Sequence, residues 1–258
     1  MASTKIVFAG PSFAGSQIEY DPEISFRPPC KQGDIYLACK EKPSVIGIVD
    51  GYFEGVPSVW HKEILWALSQ GVHVIGAASM GALRAAETDR YGIGAVYEGY
   101  RDGILEDDDE VALLHGPAEM DFIPLSLAMV NVRATLKGAV DGGVISQNVS
   151  DFLLKAAKDR FYKERTWENL LSDWEVTSSE GAPVAEFRSW LADNEVDQKR
   201  LDAESLYRFV SEQNFAVPYN ADFVFEETEY WHQCIREWGR QTRQSEQRQG
   251  SEGYRLFG

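Results

Sequence analysis

The sequence predicts an α/β protein: an N-terminal Rossmann-like parallel sheet with flanking helices, followed by an all-helical C-terminal region. Three observations carry this. Apolar runs of strand length alternate with helix-length segments over roughly the first 90 residues. Glycine and proline fall at the joins between them. From about Phe122 strand signals largely vanish and helical periodicity takes over.

Lys5 to Ala9 (KIVFA) is a buried-strand run closed by Gly-Pro-Ser. Gly33 to Lys42 has helical spacing, with Ile35, Leu37 and Ala38 apolar. Val45 to Val49 (VIGIV) is the clearest strand and ends at Asp50-Gly51. Pro57 to Gln70 reads as a helix, with proline at its start and Gly71 past its end. Val72 to Ala77 is a third strand and Met80 to Asp89 a third helix. Strands alternating with helices argue for a parallel sheet, whose working surface lies at the strands' carboxyl ends. Those ends are Gly10-Pro11-Ser12, Asp50-Gly51-Tyr52 and Ala78-Ser79-Met80. Helices are expected at Leu125–Val140, Asn148–Tyr162, Thr166–Trp174, Val184–Asp193 and Asp197–Ser211. Gly142-Gly143 reads as a hinge. This gives an α/β core over 1–141, a helical region over 142–240 and a disordered tail over 241–258.

Hydrophobic residues make up 44% of the 258 and charged residues 26%, so a sizeable core is expected. The formal net charge of −16 repels nucleic acid and anionic membranes, which excludes those partner classes. Cys30, Cys39 and Cys234 form no CxxC or Cys/His metal pattern. A reduced, cytoplasmic chain without structural disulfides, metal or cofactor is expected. No apolar run approaches the roughly 18 residues of a membrane span.

The chemistry-bearing stretch is GAASMGALRAAE, Gly76 to Glu87. Ser79 sits between a strand and a helix with small residues two places away on each side, Ala77 and Gly81. That resembles a nucleophile elbow with alanine in place of the upstream glycine. Serine is equally a preferred helix N-cap, and the turn suits anion binding. The Met80 amide and the Gly10–Ser12 turn are candidate oxyanion donors.

A nucleophilic serine needs a base. His73 lies within a strand, His232 has no motif around it, and His115 reads as a cap after an acidic run. His61 falls near the stripe of Trp60, Ile64, Leu65 and Leu68, the position of a packing residue. Lys62 lies on that stripe's flank, near a helix start at the same sheet edge as Ser79. It could act as a base only if its pKa were lowered. A solvated lysine is the plain alternative. Arg84 is a candidate for binding an anionic substrate, or a surface partner of Glu87 three residues on. Asp50 could position Lys62 or Ser79, or make a turn with Gly51. The acidic run Glu106–Glu110 reads as a solvated helix start or a docking surface for a basic partner.

Several segments together resemble the TfuA family, partners of YcaO enzymes in peptide-backbone thioamidation. They are FAGPS (Phe8–Ser12), DGYFEGVPSVWHKEIL (Asp50–Leu65), GAASMGALRAAE (Gly76–Glu87), YEGYRDGILEDDDEVALLHG (Tyr97–Gly116) and VDQKRLDA (Val196–Ala203). The resemblance implies a Ser–Lys hydrolase that releases sulfide from a thiocarboxylated ThiS-type carrier protein and helps YcaO engage its substrate peptide. Carried over at motif level, the nucleophile is Ser79 and the base Lys62. The reading of the residues themselves adds Gly10, Ser12, Met80 and Arg84 around the substrate, with Asp50, His61 and Glu87 in support. A non-catalytic scaffold for YcaO and its peptide is the other reading, and an unrelated Ser–Lys amidase or esterase a third.

Overall fold

The computed structural model describes residues 4–88, 91–177 and 181–240. Five parallel strands form one sheet: β1 (Lys5–Phe8), β2 (Ile24–Arg27), β3 (Val45–Ile48), β4 (His73–Ala77) and β5 (Gly92–Ile93). Their order is β2-β1-β3-β4-β5. Lys5 is paired with Ile24 on one side and Val45 on the other, and Val45 with His73. The strand order reverses between β1 and β3. Doubly wound sheets open a crevice at such a reversal, at the strands' carboxyl ends.

Alternation along the strands sends side chains to two faces. Ile6, Phe8, Ile46, Ile48 and Val74 pack under the helices α1 (Asp34–Cys39), α2 (His61–Ser69) and α3 (Met80–Thr88). Val7, Val45, Val49, Ile75 and Ala77 face the other way. They are covered by Ala203, Leu206, Tyr207 and Val210 of α9 (Gln198–Glu212). Gly47 lets α9 come close: a β-carbon there would lie 2.8 Å from the Leu206 side chain. Burying such side chains contributes about 1.5–3 kcal/mol each.

The strand and helix ranges expected for β1, β3, β4, α1, α2 and α3 are present, with shifted ends. α2 begins at His61 rather than Pro57, because Pro57 to Trp60 is used otherwise. The Pro57 carbonyl accepts from Gln32 N–H (2.9 Å), and Glu63 reaches back to the Trp60 N–H (3.3 Å). β2 and β5 carry no strand signal. β2 is an edge strand with one buried residue, and β5 has two residues. α4 (Ala95–Arg101), absent from the sequence reading, starts at Val96 N–H bonded to buried Asp202 of α9 (2.8 Å).

The helical region holds α5 (Met129–Asp141), α6 (Gln147–Asp159), α7 (Trp167–Thr177) and α8 (Gly181–Asn194). They share a core of Val132, Leu136, Leu153, Leu170, Trp174 and Phe187. α5 starts four residues later than expected, because Leu125 instead donates its N–H to the Leu114 carbonyl (2.8 Å). Gly142-Gly143, expected as a hinge, is the turn between α5 and α6, with Gly143 at φ +70°. The region beyond that turn reaches back onto the core: α9 is a layer of the α/β sandwich. A last helical stretch, residues 229–240, places Trp231, Cys234 and Trp238 against Tyr36 and Trp66. The tail expected over 241–258 lies outside the described residues. No described helix is long and apolar enough to cross a membrane.

Candidate active site

The three strand ends meet as the topology requires. Asp50, just after β3, is 2% exposed. Its Oδ2 accepts from the N–H groups of Gly10 (2.8 Å) and Ser12 (3.0 Å), and its Oδ1 from the Ser12 hydroxyl (2.7 Å). The turn after β1 is an anion-binding nest, and the anion it binds is the protein's own carboxylate. This corrects two expectations. Gly10 and Ser12 are not oxyanion donors, because Asp50 already occupies their hydrogens. Asp50 in turn locks the β1 and β3 ends together.

Ser79 follows β4 on a strained turn. Its N–H donates to the Ala77 carbonyl at 2.7 Å, spanning only Ala78, which has φ +67°. A one-residue turn of this hand is rare, and holding alanine there costs about 1–3 kcal/mol. The Ser79 carbonyl accepts from Ala82 (3.0 Å) and Leu83 (3.3 Å), so the residue does cap α3 through its backbone. Its hydroxyl has no hydrogen-bond partner among the described residues. The small neighbours have a visible reason: a β-carbon on Gly81 would collide with the Ile48 carbonyl oxygen, and one on Gly76 with the Gly81 carbonyl. Gly81 N–H is used by Val49 O (3.1 Å). The Met80 N–H has no acceptor among the described residues and stays available to an anion beside Ser79.

Ser79 and Asp50 line a cavity of about 670 Å³, with Tyr52, His115, Tyr162 and a lysine, Lys199, among the others on its wall. Lys199 is the second residue of α9 and is 3% exposed. Its Nζ donates to the Val111 carbonyl at 2.8 Å. Burial pushes its pKa down, against the opposing pull of Asp50 and Asp197. The helix N-terminus adds positive potential that also disfavours a charged amine. Asn131 of α5 fixes this helix start: Oδ1 accepts from Lys199 N–H (3.1 Å), and Nδ2 donates to the cap residue Asp197 (2.9 Å).

Lys62 is elsewhere. Its Nζ donates to the Thr228 hydroxyl (3.2 Å) and lies 5.3 Å from the centre of the Phe225 ring. It lines a different groove, with Trp60, His61 and Leu65. The sequence placed it at the sheet edge that holds Ser79. The later start of α2, however, sets residue 62 on the helix's outer side, against the segment around 223–228. Arg84 is also withdrawn from the cavity: it donates to Val59 O (3.0 Å), Ser58 Oγ (3.1 Å) and Glu87 (2.6 Å). His61 Nε2 shares the same Glu87 oxygen at 2.7 Å. His61, Arg84 and Glu87 therefore tie α2, α3 and the 57–60 segment together away from Ser79. His73 and His232 also lie off the cavity, bonded to Val217 O (3.0 Å) and paired with Glu227 (3.3 Å).

The acidic run is divided: Glu106, Asp107 and Asp108 are exposed at the start of a short helical turn, as expected, whereas Asp109 and Glu110 turn inward to basic partners. Glu110 accepts from Nε and Nη2 of Arg133 (2.8 and 2.9 Å) and from Lys158 (3.1 Å). Asp109 accepts from the fully buried Arg165 (2.9 Å), and Asp107 pairs with Lys158 (2.9 Å). Burial raises the Glu110 carboxyl, but Arg133 and Lys158 outweigh it and hold it below the usual range. This network seats the next residue, Val111, whose carbonyl holds Lys199. Among the described residues no group of His, Cys, Asp and Glu is arranged to hold a metal.

Residues 50–166 match the family model of TfuA-like proteins. Over this region, somewhat under half of its length, the chain is similar to the TfuA family. The family is associated with YcaO-dependent thioamidation. The matched stretch contains Asp50, Ser79 and His115, whereas Lys199 lies beyond it. No curated protein matches the chain.

The sequence signal for Lys199 exists in hindsight. It falls in VDQKRLDA and is in step with Ala203, Leu206 and Val210, at i+4, i+7 and i+11 on the buried stripe of α9. A lysine on a helix's apolar face, one residue into it, is a candidate for a perturbed amine.

Proposed function

We propose that this TfuA-like protein is a Ser–Lys hydrolase that releases sulfide from a thiocarboxylated ThiS-type carrier for a YcaO enzyme. The nucleophile is Ser79 and the base is Lys199 rather than Lys62. One observation carries the reading: Ser79 and Lys199 lie on the wall of one cavity, and Lys199 is a buried amine with a lowered pKa.

Neutral Lys199 takes the Ser79 proton as Oγ attacks the thiocarboxylate carbon at the carrier's terminal glycine. The Met80 N–H faces the tetrahedral oxyanion. Lys199 returns the proton to sulfur, the C–S bond breaks and hydrosulfide leaves an acyl-Ser79. Water then frees the carrier's carboxylate. Asp50 keeps the strand ends in register and attracts the Lys199 amine without competing for Ser79.

The test is sulfide release from thiocarboxylated carrier, together with thioamidation by the cognate YcaO. Ser79→Ala is expected to abolish release and to support thioamidation when free sulfide is supplied. Release at the wild-type rate in Ser79→Ala would rule out Ser79 as the nucleophile, and a wild-type protein that releases no more sulfide than carrier alone would be a non-catalytic adaptor for YcaO and its substrate peptide.

A further inference from the structure

We propose that His115 is the base that activates water in the second half-reaction, hydrolysis of acyl-Ser79; this rests on the hydrolase reading above. His115 lines the same cavity as Ser79 and Lys199. Its Nδ1 is 2.7 Å from the Gly116 carbonyl oxygen. A carbonyl only accepts, so the ring's Nδ1 carries a hydrogen, and the neutral imidazole presents its lone pair at Nε2. That Nε2 has no hydrogen-bond partner among the described residues. A bonded Nδ1 and a free Nε2 is the arrangement of an oriented base. It also exceeds what the sequence suggests, since a capping role explains neither the tautomer nor the cavity.

The ring is held rigidly. His115 and Pro124 form an antiparallel bridge, and Gly116 N–H donates to Ile123 O (2.9 Å). Leu114 N–H donates to Ser126 Oγ (2.7 Å), and Phe122 packs on the ring at a centroid distance of 5.7 Å. Preorganisation of this kind is what positions a base without cost at the moment of reaction. Lys199, in contrast, is tied through Nζ to Val111 O and is almost wholly buried. His115 is half-exposed on the cavity wall, so its ring can meet water.

The step balances. Nε2 takes one proton from water as the water oxygen bonds to the acyl carbon. The carbon–Oγ bond then breaks, and Ser79 Oγ recovers that proton from the imidazolium. The carrier tail leaves as a carboxylate after losing its second proton to solvent.

The experiment uses the full chain and a carrier protein ending in a Gly-Gly thiocarboxylate. Sulfide is followed through the first turnover, and intact mass is read on Ser79. His115→Asn retains a donor for the Gly116 carbonyl but no base. It is expected to release the first equivalent of sulfide at the wild-type rate. Later turnovers should slow about 100-fold, with carrier ester accumulating on Ser79. Added imidazole should restore turnover in His115→Ala. Wild-type steady-state turnover in His115→Asn overturns the proposal. So does equal slowing of the first and later turnovers with no ester and no imidazole rescue. A sulfide burst in Ser79→Ala overturns the hydrolase reading itself, a separate failure.

Discussion

Lys199 Nζ donates to the Val111 carbonyl at 2.8 Å, joining the first turn of α9 to the residue after the acidic run. Two distant parts of the chain thereby fix one amine on the wall of the cavity that Ser79 also lines. The bond takes one hydrogen of the amine, and burial lowers the amine's pKa. A lysine that is buried, with no carboxylate in salt-bridge contact, loses charge stabilisation on folding. Asp50 and Asp197 attract it but do not pair with it. Its role is testable without any carrier.

A fluorophosphonate probe reports nucleophile activation directly. Ser79 is expected to be labelled, and Lys199→Met, which keeps the stem's volume, to slow labelling about 100-fold or more. Peptide mapping by mass spectrometry checks both the site and the rate.

The Glu110 network predicts an indirect effect on the same amine. Glu110→Gln weakens the Arg133 and Lys158 contacts and loosens Val111. Probe labelling of Ser79 should fall several-fold, with stability down by about 1–3 kcal/mol. Because the Glu110 carboxyl is held low in the folded state, its stabilisation is present above the unfolded carboxylate pKa. It is lost as pH falls through the folded value. Denaturant melts of wild type and variant should therefore converge at acid pH.

Glu63 predicts the opposite slope. It is buried and accepts from Gly33 (2.8 Å), Tyr36 (3.3 Å) and Trp60 (3.3 Å) N–H groups. Burial nevertheless pushes its carboxyl up to about 7, against those bonds. The folded protein thus binds a proton that the unfolded chain has lost. The associated stability is fully present below about pH 4.5 and is lost as pH rises through 7. The gap of about two and a half pH units corresponds to roughly 3 kcal/mol at about 1.4 kcal/mol per unit. Glu63→Gln should flatten this slope in urea melts between about pH 5 and about pH 8.

The turn at Ser79 predicts contrasting effects of two small changes. Ala78→Gly relieves the positive φ and is expected to stabilise by about 0.5–1 kcal/mol. Gly81→Ala drives a methyl into the Ile48 carbonyl, which backbone cannot yield, and should cost about 3 kcal/mol or more. Chemical denaturation measures both.

The central strands and their helices were legible because β1, β3 and β4 are continuous apolar runs bounded by Gly and Pro. β2 and β5 were not, since an edge strand with one buried residue and a two-residue strand carry almost no periodicity. Ser79 was legible because local sterics dictate its small neighbours. Its partner was not. Lys62 and Lys199 both begin helices, and only packing decides which helix start reaches the β4 end. α9 comes from 120 residues downstream of Ser79, a juxtaposition that spacing along the chain does not encode. The ion pairs of the acidic run were not legible for a similar reason: Arg133, Lys158 and Arg165 belong to other elements.

The most direct test of the account sets the two lysines against each other. Sulfide release from thiocarboxylated carrier is measured for wild type, Lys199→Met and Lys62→Met. The account predicts loss of about 100-fold or more in Lys199→Met and a rate within about two-fold of wild type in Lys62→Met. Full activity in Lys199→Met, or loss confined to Lys62→Met, would contradict it.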